Sequence, residues 1–248
     1  MRIDKFVGLL LLMWLLQACV AVNPGQTQDE KASAVNVQLG IGYLQQNKLE
    51  LASQKLTKAL RQDPKSASAH NAYGILQERL KQMDLAEFHY EKATKLDRND
   101  AQAANNYGTF LCRNGRERES EKYFLQALNN PLYSTPEYAY TNAAVCLLKV
   151  DEAQSAKEYL RKALNEKSDF APALLTMGGL LLGEMDYEGA KVYLDRYHLV
   201  AKPGARSLWL SIQAAQKIDA STDVTELVER LQTDFPNSRE YQLWKEQQ

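Results

Sequence analysis

The sequence lacks the residue combinations that catalysis and metal binding usually require. Its three histidines, His70, His89 and His198, have no cysteine or second histidine beside them at metal-ligand spacing. It contains no glycine-rich phosphate loop, no nucleophile elbow and no motif of paired acids. We therefore expect a protein that is not an enzyme and that uses no metal, cofactor or small-molecule substrate.

An excess of charge of one sign is also lacking. Lys and Arg number 30 and Asp and Glu number 31, so the formal net charge is -1. Without a basic field, the chain is not expected to bind nucleic acid. The apolar run at residues 6–16 is shorter than the roughly 20 residues that a membrane-spanning helix needs.

That short apolar run has the layout of a bacterial secretory signal. Arg2 and Lys5 precede it, and the string Leu-Gln-Ala-Cys that follows ends at Cys19. This string resembles the lipobox of bacterial lipoproteins, which implies a signal peptide at residues 1–18 and a mature chain that begins at a lipidated Cys19. An ordinary signal peptide cut nearby, or an uncleaved anchor, is the alternative.

The resemblance to lipoproteins also implies a location. Val20 stands after the cysteine where retention in the inner membrane would favour Asp, so we expect the periplasmic leaflet of the outer membrane, reached through the lipid anchor. Residues 19–32 contain an Asn-Pro-Gly string and polar residues, which predicts a flexible tether. Residues 33–248 are predicted to form one continuous domain.

A period of 34 residues runs through this domain. The repeats are predicted to start at Ser33, Ala67, Ala101, Glu137, Ala171 and Ala205. The eighth position is small in the first five repeats, at Gly40, Gly74, Gly108, Ala144 and Gly178. The twenty-fourth position is large and apolar, at Leu56, Tyr90, Phe124, Leu160, Leu194 and Val228. This pattern is typical of tetratricopeptide repeats and predicts an all-α, right-handed superhelical solenoid of six helix-turn-helix repeats.

Two departures from the pattern have simple interpretations. The period stretches to 36 residues between the third and fourth repeats, and the extra residues fall near Pro131 and Pro136, which predicts a longer loop. The sixth repeat is degenerate, because Ile212 replaces the small residue. The segment with Tyr241 and Trp244 is predicted to cap the last repeat, since a terminal unit has a neighbour on one side only.

The concave surface of such a solenoid is the candidate binding site. The residues predicted to line a partner-binding groove are mostly apolar or amide-bearing: Ile41, Leu44, Asn71, Ile75, Asn105, Asn106, Thr109, Asn142, Val145 and Leu148. The cations expected near it are mainly Arg79, Arg113 and Lys149, which favours a hydrophobic or extended partner segment over an acidic tail. The alternative is that the amides support neighbouring helices and the apolar residues belong to the core.

Cys112 and Cys146 are predicted to lie on the first helices of the third and fourth repeats. Adjacent helices in an oxidising periplasm can bring two cysteines within the ~5.5–6 Å Cα separation of a disulfide. Two small buried apolar side chains are the alternative. The sequence leaves this choice open.

The combination of lipobox and six repeats is similar to the type IV pilus biogenesis and stability lipoproteins of the PilF/PilW family. Four strings carry the resemblance, at residues 38–44, 105–108, 156–160 and 205–208. The resemblance implies a non-enzymatic outer-membrane adaptor that binds the pilus secretin or another protein of the pilus machinery, and that assists secretin assembly or fibre stability. A lipoprotein scaffold for β-barrel assembly or for peptidoglycan enzymes is the alternative.

Overall fold

The computed structural model describes residues 27–219 and 221–247, and within them every regular element is a helix. Six helix pairs and one short helix follow in chain order: α1 (Gln28–Gln45), α2 (Leu49–Gln62), α3 (Ala67–Arg79), α4 (Met83–Leu96), α5 (Ala101–Arg113), α6 (Glu117–Leu128), α7 (Pro136–Leu148), α8 (Ala153–Glu166), α9 (Ala171–Gly183), α10 (Tyr187–Val200), α11 (Ala205–Lys217), α12 (Ser221–Asp234) and α13 (Arg239–Glu246). The predicted solenoid of six repeats and a cap is confirmed. The predicted signal peptide and Cys19 lie outside the described residues.

The first helix begins earlier than the repeat pattern predicts. The tether was expected to extend to residue 32, but α1 starts at Gln28. The Oγ1 atom of Thr27 accepts a hydrogen bond from the backbone of Glu30, and the Glu30 carboxylate accepts one from the backbone of Thr27. This capping box satisfies two backbone donors at the start of the helix, so residues 28–32 are helical rather than part of a tether.

Each repeat turns between its two helices in the same way. The fifteenth position has a positive φ, between 56° and 78°, in all six repeats: Asn47, Lys81, Gly115, Asp151, Met185 and Asp219. In the first five repeats the next residue donates a backbone hydrogen bond to the carbonyl five positions earlier, as Gln82 does to Gln77 at 2.9 Å. This is the Schellman arrangement that ends a helix through one left-handed residue, and only the third repeat places glycine there.

Replacing Met185 by glycine is expected to stabilise the protein. Met185 has a φ of 62° and is 73% exposed, so its side chain adds backbone strain and little packing. We expect the free energy of unfolding to rise by up to ~1 kcal/mol in a urea titration. Val192→Gly introduces glycine at an exposed helical position without a positive φ and is the control, because it should lower the stability. A fall in stability of Met185→Gly would contradict the assigned turn.

The eighth and twenty-fourth positions meet inside each repeat, as the pattern predicts. A Cβ atom added to Gly74 would lie 2.8 Å from the ring of Tyr90, and one added to Gly108 would lie 2.9 Å from the ring of Phe124. Tyr90 and Phe124 are both buried. The small residue therefore provides the space that the large side chain of the second helix occupies.

The helices form two rows of different character. In the inner row, α1, α3, α5, α7, α9 and α11, each helix contacts the next member of the row. Among the described residues, the backbones of successive outer-row helices, α2, α4, α6, α8, α10 and α12, do not approach each other closely, although Lys191 of α10 pairs with Asp223 of α12. Closer approach along the inner row places it on the concave side of the solenoid. None of the described helices has both the length and the hydropathy needed to cross a membrane.

The two departures from the repeat pattern also have the predicted locations. The additional residues between the third and fourth repeats form the loop at 129–135, and Pro136 is the first residue of α7. At the other end, Tyr241, Leu243 and Trp244 of α13 pack against a buried cluster that contains Ile212. The terminal helix thus covers apolar side chains of the last repeat.

Candidate partner-binding surface

The concave groove has two halves with different linings. The first half has a cavity volume of about 680 Å³ and includes the predicted residues Ile75, Asn105, Asn106, Thr109 and Asn142. The second half has a volume of about 750 Å³ and includes the predicted Val145 and Leu148. We call these the polar half and the apolar half, because charged and amide side chains line the first and mainly apolar side chains line the second.

Three predicted groove residues line neither half. Leu44 is buried among the core residues of the first repeats, and Ile41 packs against the same cluster. The prediction that Leu44 lines the groove is wrong, because Leu44 is only 3% exposed and packs in the core of the first two repeats. Asn71 is also buried, and its Oδ1 accepts a hydrogen bond from Asn106 Nδ2 at 3.0 Å.

The asparagine side chains connect neighbouring inner helices. Asn106 of α5 bonds to Asn71 of α3, and Asn142 Nδ2 of α7 donates to Asn105 Oδ1 of α5 at 3.0 Å. Asn71 and Asn105 are only 8% and 4% exposed, so their buried side-chain oxygens need hydrogen-bond donors, and the two bonds supply them. Asn71 and Asn105 therefore support neighbouring helices, as the alternative interpretation states. Asn106, Thr109 and Asn142 are partly exposed to the groove.

The three cations predicted near the groove are bound to the preceding repeat. Arg79 Nη1 donates to the carbonyl of Leu44 at 2.5 Å, and Lys149 Nζ donates to the carbonyl of Cys112 at 2.7 Å. Arg113 pairs with Glu78 at 3.2 Å. All three occupy the thirteenth position, where a cation lies at the negative end of the previous inner helix. They are engaged within the protein, which agrees with a groove that does not clamp an acidic tail.

Glu78 connects Arg113 to the core of the second repeat. Its Oε2 accepts a hydrogen bond from the Tyr90 hydroxyl at 2.9 Å. Burial, followed by the nearby Glu78 charge, raises the pKa of Tyr90, so the phenol stays protonated and remains a donor. The wall of the polar half is therefore held by hydrogen bonds to a buried side chain.

The structure joins Cys112 of α5 and Cys146 of α7 in a disulfide, with the two Cα atoms 5.8 Å apart. Both cysteines are buried, beside Phe124 and Ala143. The bond lies at the junction where the repeat period stretches. It connects two inner helices directly, whereas the chain between them passes through α6 and the longer loop.

His70 and His89 lie in one repeat and contact each other, although nothing in their sequence spacing indicates this. Their Nδ1 atoms are 2.8 Å apart, and His70 Nε2 lies 3.1 Å from the carbonyl oxygen of Pro64. Burial lowers the pKa of His70, and burial together with the adjacent His70 and Lys92 lowers the pKa of His89 to about 4. Across the described residues, no group of three or more His, Cys, Asp or Glu is arranged to hold a metal ion.

Acidification is expected to destabilise the second repeat through this pair. The folded-state pKa of His89 lies below its ordinary value of 6.5, so the unfolded chain binds more protons between pH 6.5 and about 4. The stabilisation is complete above that window and is lost as the pH falls through it. After allowance for solvent screening, we expect a loss of ~1–2 kcal/mol in urea titrations compared across the window. If a His89→Gln variant loses as much stability as the wild type when the pH falls through this window, His89 is not the cause of the pH dependence.

The fold and its concave surface define a tetratricopeptide repeat protein. Three family models described as tetratricopeptide repeat match residues 37–101, 89–122 and 137–170. The chain is also 32% identical over 222 residues to the type IV pilus assembly protein PilF of Pseudomonas aeruginosa, covering 89% of this chain and 88% of that protein. The chain belongs to the PilF/PilW family of type IV pilus biogenesis proteins.

Two solved structures agree with this membership. The structure of Pseudomonas aeruginosa PilF superposes with a TM-score of 0.82 and covers 90% of this chain and 100% of its own. The structure of PilW, a type IV pilus biogenesis factor, gives a TM-score of 0.80 at 28% identity and covers 88% of this chain and 99% of its own. The relatives support a role in protein interaction connected with pili.

Proposed function

We propose that this protein is an outer-membrane lipoprotein, anchored in the periplasmic leaflet through Cys19, that assists the pilus secretin or the pilus fibre by binding a protein partner. The observation that carries the proposal is the relationship to PilF over most of both chains. The lipobox-like string at Cys19 supports the anchor. The groove, whose thirteenth-position cations are bound within the protein, supports recognition of a mainly apolar segment.

The proposed mechanism is capture without catalysis. A lipid anchor would concentrate the solenoid at one leaflet, where the groove would meet membrane-bound partners at a high effective concentration. Interhelix bonds such as Asn142 to Asn105 and the disulfide hold the inner helices in place before a partner arrives. Little ordering is then required on binding, and this lowers the entropic cost of association.

Crosslinking from the groove tests this role. Thr109 is half-buried, lines the polar half, and uses its hydroxyl only for a bond to the carbonyl of Asn105 in the same helix. A photoreactive amino acid at Thr109, introduced in the living cell, is expected to trap a protein of the pilus machinery. The same amino acid at exposed Lys122 of the outer helix α6 is the control. Equal trapping from both positions would reject the groove as the binding surface.

Deletion of the gene separates this proposal from its main rival. Loss of pili or of secretin multimers, with unchanged levels of other outer-membrane proteins, is the expected result. A scaffold for β-barrel assembly would instead cause a broad loss of outer-membrane proteins, and a scaffold for peptidoglycan enzymes would cause a cell-wall defect with normal pili. Labelling with a palmitate analogue, compared between wild type and Cys19→Ser, tests the lipid anchor.

A further inference from the structure

The apolar half of the groove crosses three inner helices near the C-terminal end of the solenoid. Its lining is mainly apolar and comes from α7, α9 and α11: Val145, Leu148, Pro172, Leu175, Leu180 and Leu210. Val145 is 42% exposed, although it faces the concave surface of a folded repeat. This surface therefore leaves apolar side chains in contact with water when the protein is alone.

Two glycines of α9 open this half of the groove. Gly179 and Gly183 are four residues apart, so they lie on the same face of the helix. An added Cβ would meet no atom within 4 Å at Gly183 and only Leu210 at 3.7 Å at Gly179. The neighbouring Gly178, by contrast, is required for packing, because its Cβ would lie 2.7 Å from Leu194.

A glycine within a helix is less favourable than an alanine. Internal packing does not require glycine at residues 179 and 183, so it does not explain why glycine is present there. Their effect is on the surface. Gly183 occupies the thirteenth position, where the three preceding repeats have a cation that covers the previous inner helix. Here that cover is missing, and Leu148 of α7 is left partly exposed at the groove.

The charges around the apolar half do not balance. Glu184 is bound within the protein, because it pairs with Lys157 and lies 3.4 Å from Gln154 Nε2. The side chain of Arg206 is exposed and forms no ion pair or hydrogen bond with any residue between 27 and 219 or between 221 and 247. One positive charge therefore remains available beside an apolar surface.

We infer that the apolar half binds a short extended segment of a partner protein that carries apolar side chains and an acidic residue. The apolar side chains would lie against Val145, Leu148 and Leu175, the backbone would approach α9 over Gly179 and Gly183, and the carboxylate would pair with Arg206. Three inner helices at ~8–10 Å spacing span ~16–20 Å, a length that suits about six extended residues. The inference rests on the proposed function only in that the partner is a protein.

Peptide selection tests this chemistry directly. A library of phage-displayed peptides of about twelve residues, which span up to ~40 Å, is selected on full-length protein in detergent. Selected sequences are expected to combine adjacent apolar residues with Asp or Glu. Gly183→Leu should fold normally and weaken their binding by at least about tenfold, because its side chain projects into the groove. Gly179→Leu provides a second obstruction at another point.

Gly42→Leu is the matched control for these substitutions. Gly42 lies in α1 away from both halves of the groove, and its added Cβ would also meet no atom within 4 Å. It should bind the selected peptides as the wild type does. Equal binding by Gly42→Leu and by folded Gly183→Leu would overturn the inference, as would a selection that yields no apolar consensus.

The role of Arg206 has its own test. Selection on Arg206→Glu is expected to replace the acidic residue of the peptides by Lys or Arg while the apolar residues are retained. An unchanged acidic preference would remove Arg206 from the site. Occupation of the groove by a second copy of this chain would appear as a dimer in light scattering that Gly183→Leu dissociates, and this result would also reject the inference.

These outcomes are independent of the proposed cellular role. If deletion leaves pili intact but the peptides bind as described, the proposed function fails and the binding site stands. If deletion abolishes pili while Gly183→Leu binds peptides normally, the function stands and the apolar half is not the site.

Discussion

Gly74→Leu is expected to lower the free energy of unfolding by ~3 kcal/mol or more. Even the first added carbon would lie 2.8–3.0 Å from three ring carbons of Tyr90. Tyr90 has little freedom to move, because it is 2% exposed and its hydroxyl is bound to Glu78. Overpacking of a rigid core typically costs ~1–3 kcal/mol, and the remaining carbons of leucine add to it. Urea unfolding monitored by circular dichroism measures the change.

Gly42→Leu provides the control for Gly74→Leu. It makes the same chemical change in a neighbouring inner helix, but nothing lies within 4 Å of the added Cβ. Its stability should equal or slightly exceed that of the wild type, since leucine favours the helix more than glycine does. If both variants lose the same free energy, helix contact at the eighth position is not the cause.

Removing the disulfide is expected to have an effect of similar size. The bond closes a loop between positions 34 residues apart, and the loss of that constraint on the unfolded chain corresponds to ~3–4 kcal/mol in the chain-entropy model. Cys112→Ser with Cys146→Ser should therefore unfold at a lower urea concentration. The strongest effect is expected in the third and fourth repeats, because each repeat contacts only its neighbours.

Reduction of the wild-type protein is the companion measurement. Added dithiothreitol should lower the wild-type midpoint toward that of the double serine variant and leave the variant unchanged. A thiol count on unfolded, non-reduced protein should find neither Cys112 nor Cys146 reactive. Two reactive thiols in that count, or a midpoint that does not respond to reductant, would show that the cysteines act only as buried side chains.

The repeat architecture was predictable because it depends on contacts within a single unit. Gly74 and Tyr90 are close in sequence and meet in the same helix pair, so periodicity alone indicates their contact. The early start of α1 is also predictable from the sequence, since Thr27 and Glu30 have the spacing of a capping box. The 34-residue period alone does not show it, because the period places the first repeat at Ser33.

The groove was less predictable because its lining depends on pairs of repeats. Leu44 is covered by the following inner helix, whereas Leu148, at the same position of its repeat, lines the groove because Gly183 follows. The recurrence of Arg79, Arg113 and Lys149 at the thirteenth position is a sequence signal that these cations contact the preceding repeat. The contact of His70 with His89 had no such signal, because neither residue recurs in other repeats.

The difference between the two rows of helices has a mechanical consequence. Since the backbones of successive described outer helices stay apart, a change in curvature can separate these helices while breaking few direct contacts, such as the ion pair of Lys191 with Asp223. The inner row resists such strain, most strongly where a covalent bond joins α5 to α7. The apolar half lies on the C-terminal side of that junction, so elastic bending there can change the width of the apolar half while the polar half keeps its shape.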